Sequence, residues 1–121
     1  MKKALVIDDN RETADALVMM LEMLGVEGRA AYGPSSAMTL LNSSLPDLVL
    51  LDVNMPGVDG VELLGYLRRE PKFANLPVVV VTSDDQAETR KRVMDGGAQA
   101  MIIKPPLLNQ LEDALKKAGV F

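Results

Sequence analysis

An α/β fold, (βα)5 with a doubly wound parallel five-stranded sheet, is predicted by three features of the sequence. Short runs that are apolar at nearly every position recur along the chain, segments with three- and four-residue apolar spacing alternate with them, and Gly or Pro marks most junctions. Unbroken apolar runs suit strands covered on both faces, and alternation with helices calls for parallel crossovers. Ala4-Leu5-Val6-Ile7 is the first strand and ends at Asp8. Ala14, Leu17, Val18, Leu21 and Leu24 form the apolar stripe of the first helix, which Gly25 closes. A weaker strand lies near Val26 to Ala31, and Gly33-Pro34-Ser35 starts a short helix running through Leu41. Leu48 to Leu51 is the third strand, ending at Asp52. Met55 to Gly60 reads as a turn-rich loop, with a helix beyond it through about Arg69.

Val78 to Val81 is the most β-branched stretch and makes a fourth strand ending at Thr82. A polar helix is expected from about Asp85 to Asp95, stopped by Gly96-Gly97. Ala100 to Ile103 is the fifth strand, ending at Lys104-Pro105-Pro106, and Leu107, Leu108, Leu111, Ala114, Leu115 and Ala118 mark the last helix. Right-handed crossovers make an open sheet the default for five units, since a closed barrel takes about eight. No composition shift, linker or repeat interrupts the chain, so residues 1–121 are expected to form a single domain.

Composition narrows the chemistry. The chain has 121 residues with no Cys and no His, which excludes thiol and Ser-His-Asp nucleophiles and His- or Cys-bound zinc. It also means that the chain cannot itself donate a phosphoryl group from imidazole. With 13 basic against 17 acidic residues it lacks the footprint for nonspecific nucleic-acid binding. Its longest apolar run is far too short for a membrane span, and Asp8 and Asp9 follow the basic Met1-Lys2-Lys3 too closely for a signal-peptide core. A cytoplasmic protein is the expectation.

What remains is carboxylate, hydroxyl and ammonium chemistry, and the strand ends supply it. The strands close on Asp8-Asp9, Asp52, Thr82-Ser83 and Lys104. In the flavodoxin-like order 2-1-3-4-5, strands one and three flank the point where strand order reverses, so Asp8, Asp9 and Asp52 fall together. Singly, the acids read as helix caps or turn formers, Thr82 as strand-end polarity and Lys104 as a solvated charge. Together, three carboxylates repel one another, and Lys104 takes the rim only from −3 to −2. A divalent ion would neutralise it, and an all-oxygen donor set suits Mg²⁺, which also welcomes a phosphoryl oxygen. A carboxylate beside such an ion, with a lysine and a hydroxyl nearby, is a workable phosphoryl acceptor.

At this point the chain resembles the receiver domain of bacterial response regulators, the CheY-like family of two-component signalling. The matching residues are Val6-Ile7-Asp8-Asp9-Asn10, Leu51 to Gly60, Val81-Thr82-Ser83, and Gly97-Ala98 leading to Lys104-Pro105, in the family's order at the expected strand ends. The resemblance implies that Asp52 is the phosphoacceptor. It also implies that Asp9 is a direct Mg²⁺ ligand, Asp8 one acting mainly through water, and Asn54 one through its backbone carbonyl. Lys104 and Thr82 would bond the phosphoryl group, backbone N–H groups near Val53 and Ser83 would complete its cradle, and Lys104-Pro105 would be cis.

The implied partners are a sensor histidine kinase or histidine phosphotransfer protein, and downstream a target protein or an output domain. Asn54 and Asp84 occupy the positions that tune attack by water on the acyl phosphate, which implies a short-lived phosphoaspartate. Met101 stands where the family has Tyr or Phe, and Pro106 where it usually has Phe. Met101 is then either a switch partner of Thr82 or a plain core residue of the fifth strand. The competing reading is a small Mg²⁺-dependent phosphohydrolase with Asp8 as nucleophile. Such enzymes place a second Asp two residues on, where this chain has Asn10.

Overall fold

A computed structural model describes residues 1–121. Strand β1 (Lys3–Ile7) pairs in parallel with β2 (Glu27–Ala31) on one side and β3 (Leu48–Leu51) on the other. Two further parallel strands follow. A hairpin of two short antiparallel strands, β4 (Asn54–Met55) and β5 (Val58–Asp59), comes between, so they are β6 (Val78–Thr82) and β7 (Ala100–Ile103). The main sheet therefore runs β2-β1-β3-β6-β7, which is the predicted 2-1-3-4-5 once the hairpin is set aside. The stretch expected as a plain turn-rich loop contains that hairpin, because Gly57, at φ +73°, lets the chain reverse tightly enough for Met55 to pair with Val58.

The helices divide between the two faces as alternation along the strands requires. On one face Ala4, Val6, Leu48, Leu50, Val79 and Val81 pack with α1 (Arg11–Met23) and α5 (Leu108–Lys117). On the other, Leu5, Ile7, Val49, Leu51, Val78 and Val80 pack with α2 (Pro34–Ser43), α3 (Gly60–Arg69) and α4 (Ala87–Asp95). Leu50 and Leu51 are each almost fully enclosed, on opposite faces, as expected for a central parallel strand. Truncating such a leucine costs roughly 2–5 kcal/mol, so the strands are held firmly enough to fix whatever stands at their ends.

Two helix starts differ from the sequence expectation. Asn10, rather than Asp8 or Asp9, caps α1, its side chain accepting the Thr13 N–H at 3.0 Å. Helix α4 begins at Ala87, two residues later than expected, because Asp84 folds the preceding turn onto itself by accepting the Gln86 N–H. At the opposite end of the sheet, the half-buried Arg68 joins two loops, donating to the carbonyls of Gly97 (2.8 Å) and Leu76 (2.7 Å). No helix is long and apolar enough to cross a membrane.

Candidate functional site

Register places the site. The Asp52 N–H donates to the Ile7 carbonyl, the Asp8 N–H to that of Ala31, and the Lys104 N–H to that of Thr82. The residues following β1, β3 and β7 are thus each tied to a neighbouring strand, and Asp8, Asp52 and Lys104 stand with Thr82, the last residue of β6, along one rim at the carboxyl ends. Asp8, Asp52 and Thr82 are buried there, and Asp9 faces solvent. Carboxylate oxygens of Asp8, Asp9 and Asp52 lie within 4.8 Å of one another.

The two buried acids are built alike. Asp8 Oδ1 accepts the N–H of Asn10 at 3.0 Å, and Asp52 Oδ1 accepts the N–H of Asn54 at 2.9 Å, each two residues on. Their Oδ2 atoms face the ammonium of Lys104, at 2.7 Å from Asp8 and 3.4 Å from Asp52. Each carboxylate therefore has one oxygen fixed by backbone and one turned to the shared cation. Burial pushes the Asp52 carboxyl above its ordinary value, against the lowering pull of the Asn54 N–H and Lys104. One ammonium does not compensate three carboxylates, so the rim keeps a net negative charge on an all-oxygen donor set of the kind that Mg²⁺ takes.

Thr82 lies beside this cluster, its Oγ1 accepting from Asn54 Nδ2 and from the Asp84 N–H, each at 3.3 Å. The carboxylate of Asp84 is turned to α4, Oδ1 accepting the Gln86 N–H at 3.0 Å and Oδ2 the Thr89 hydroxyl at 2.6 Å. These two donors, Thr89 first, hold the Asp84 carboxyl below the usual range. Met101 is half-buried against the core on the α3–α4 face, opposite Val80, and Lys104–Pro105 is a cis peptide bond. Thr89 is the one buried polar residue absent from the sequence reading. A threonine at the third position of a helix that follows a turn-forming Asp was the only signal for it.

Residues 4–116 match the family described as the response regulator receiver domain. The chain belongs to that family. This receiver domain is 38% identical over 101 residues to a 14.6 kDa protein in the sodA1 3′ region of Leptolyngbya boryana, covering 84% of the chain and 77% of the relative. It is 34% identical over 104 residues to the phosphate regulon transcriptional regulatory protein PhoB of Escherichia coli, covering 86% of the chain but only 45% of PhoB. The receiver domain thus spans less than half the length of that relative. Among solved structures, it matches the signal receiver domain of a DNA binding response regulator (merR) from Colwellia psychrerythraea 34H. That match has a TM-score of 0.91 and 31% identity, with both chains covered completely.

Proposed function

We propose that residues 1–121 act as one cytoplasmic phosphoacceptor unit, taking a phosphoryl group onto Asp52 from a phosphohistidine on a sensor kinase or phosphotransfer protein. The observation that carries this is the state of Asp52. It is a buried carboxylate with Oδ1 held by the Asn54 N–H, and its Oδ2 lies 3.4 Å from Lys104 on a rim shared with two more acids. Asp8, Asp9, Asp52 and the Asn54 carbonyl would hold Mg²⁺, which when bound would bring the rim to neutrality and present a cation to an incoming phosphoryl oxygen.

An oxygen of Asp52 forms the new bond to phosphorus while the phosphorus–nitrogen bond breaks, and its electron pair stays with the partner's imidazole. Lys104 faces the charge that collects on the phosphoryl oxygens. Thr82 has a hydroxyl proton to give them, and turning to do so draws on the bonds it accepts from Asn54 and Asp84. That exchange is how the event reaches neighbouring elements and, through them, a target protein or an output domain. The only reactions catalysed are the domain's own phosphorylation and dephosphorylation. The phosphohydrolase reading loses ground because Asn10, at its second acid position, is occupied in capping α1.

Incubation with Mg²⁺ and acetyl phosphate, followed by intact-mass and peptide analysis, tests the proposal. One phosphoryl group should appear on the peptide containing Asp52, and Asp52→Asn should remove it, an amide being a poor nucleophile. Labelling of Asp52→Asn at the wild-type rate would overturn the assignment.

A further inference from the structure

We propose that Thr89 is a positioning residue for the phosphorylated state: its hydroxyl holds the Asp84 carboxylate against α4 and so slows attack by water on the acyl phosphate. This rests on the reading of Asp52 as phosphoacceptor. An amide at Asn54 and an acid at Asp84 would by themselves give a short-lived phosphoaspartate, because both can orient a water. In the structure, however, both oxygens of Asp84 are engaged from the α4 side, by the Gln86 N–H at 3.0 Å and the Thr89 hydroxyl at 2.6 Å. The second of these bonds is short and charge-assisted, the stronger class of hydrogen bond.

Hydrogen bonding, rather than packing, holds the carboxylate there. Asp84 lines a groove of about 470 Å³ between the β4–β5 hairpin and α4, together with Asn54, Asp59, Thr89 and Arg92. The side chain has room to turn once it is released. Thr89 itself is 9% exposed, so its own position is fixed by the helix. One turn further on, Arg92 Nη2 meets Asp59 Oδ2 at 2.9 Å, tying the same helix to the far wall of the groove.

A run of hydrogen bonds links this lock to the acceptor. It passes from Asp52 to the Asn54 N–H, from the Asn54 amide to Thr82, from Thr82 to the Asp84 N–H, and from the Asp84 carboxylate to Thr89. The placement of α4 thereby sets which way Asp84 points. In the hydrolysis that Thr89 restrains, a water oxygen bonds to phosphorus while the bond from phosphorus to the Asp52 oxygen breaks. The electron pair of that bond returns to the Asp52 carboxylate. A released Asp84 accepts the proton leaving the water and passes it to the departing phosphate.

The experiment follows loss of the phosphoryl group after acetyl phosphate is removed, in wild type, Thr89→Val, Thr89→Ser, Asp84→Ala and the Asp84→Ala/Thr89→Val double variant. Valine keeps the shape of threonine and lacks the hydroxyl. Losing a hydrogen bond to a charged group should shorten the lifetime roughly tenfold or more in Thr89→Val. Thr89→Ser should stay near wild type, and the double variant should decay like Asp84→Ala alone. An unchanged or longer lifetime in Thr89→Val would overturn the inference. So would an equal shortening in the Asp84→Ala background, which would make the effect one of helix packing. Should Thr89→Val not fold, Thr89→Ala carries the same comparison. If wild type itself takes no phosphoryl group, the reading of Asp52 falls and this inference with it. If wild type labels normally and Thr89→Val decays like it, only this inference falls.

Discussion

The ammonium of Lys104 lies 2.7 Å from Asp8 Oδ2, closer than the 3.4 Å that separates it from Asp52. The lysine is therefore first of all the counter-ion of the most buried acid on the rim, Asp8 being 1% exposed. Removing one partner of a buried pair leaves an uncompensated charge, at a cost of about 3–5 kcal/mol. Lys104→Met should lose stability of that order when no divalent ion is present, and Mg²⁺ should restore much of it by facing Asp8 with a cation again. Its Mg²⁺ affinity should equal or exceed that of wild type, because a competing positive charge is gone. Urea unfolding with and without Mg²⁺ decides this, and a Lys104→Met protein whose stability ignores Mg²⁺ would contradict it.

Most of the rim was legible in the sequence because polar residues close runs that are otherwise apolar: Asp8 after Ile7, Asp52 after Leu51, Thr82 after Val81 and Lys104 after Ile103. In the order 2-1-3-4-5 those ends must meet. The restraints on each side chain were not legible. That Asn10 caps α1 while Asp8 receives the Asn10 N–H, or that Arg68 joins the Gly97 and Leu76 carbonyls, depends on contacts with no periodic signature. The same holds for Thr89: its burial follows from α4 packing on the sheet, and its partner from a turn whose bonds moved the helix start to Ala87.

Gly60 shows how the loop after Asp52 is positioned. A Cβ built there would lie 2.3 Å from Val53 Cα and 2.8 Å from the Asp52 carbonyl oxygen, both backbone atoms with no flexible end to swing aside. Gly60→Ala must therefore displace the loop that carries Asp52. Overpacking of this kind costs roughly 1–3 kcal/mol, and a misplacement near 1 Å can slow a reaction roughly 10²-fold. Both the unfolding midpoint and the rate of labelling by acetyl phosphate should fall. A Gly60→Ala protein that is destabilised yet labels at the wild-type rate would show that the loop recovers its position.

Asp59 has two duties that can be separated. Its Oδ1 accepts the Val61 N–H at 2.9 Å as the cap of α3, and its Oδ2 pairs with Arg92 at 2.9 Å. Arg92, followed by the Val61 N–H, holds the Asp59 carboxyl below the usual carboxylate range. A depressed folded-state value means that the contribution is present above the unfolded-state value and is lost as pH falls through the folded one. Asn also caps helices, so Asp59→Asn should remove only the ion pair, costing at most about 1 kcal/mol after screening by solvent and less at high salt. Asp59→Ala should cost about 1 kcal/mol more through loss of the cap. Urea titrations should show wild type and Asp59→Asn differing at neutral pH and converging below the carboxylate range. A gap that persists there would mean that the ion pair is not its source.

If the rim takes a phosphoryl group as proposed, Met101 offers a test of how that signal leaves it. It lies opposite Val80 on β7, two residues before the Ile103 that pairs with Thr82, half-buried against the core beneath α3 and α4. An aromatic ring with a hydroxyl has reason to stand outward in one state and turn inward in the other. A thioether is flexible and apolar, and lacks a hydroxyl that would favour the surface, so contact with the core should suit it in both states. Adding beryllofluoride with Mg²⁺ as a phosphoryl mimic should shift the NMR signals of Thr82 and of Ala87 to Thr89 strongly, because Thr82 is drawn away from Asn54 and Asp84. The Met101 methyl signal should move only slightly. Met101→Tyr should introduce a large ring-dependent change in the same titration, since the phenol would gain an outward state. If the Met101 methyl instead passes between two well-separated environments, methionine is performing the aromatic residue's inward turn and this account of β7 is wrong.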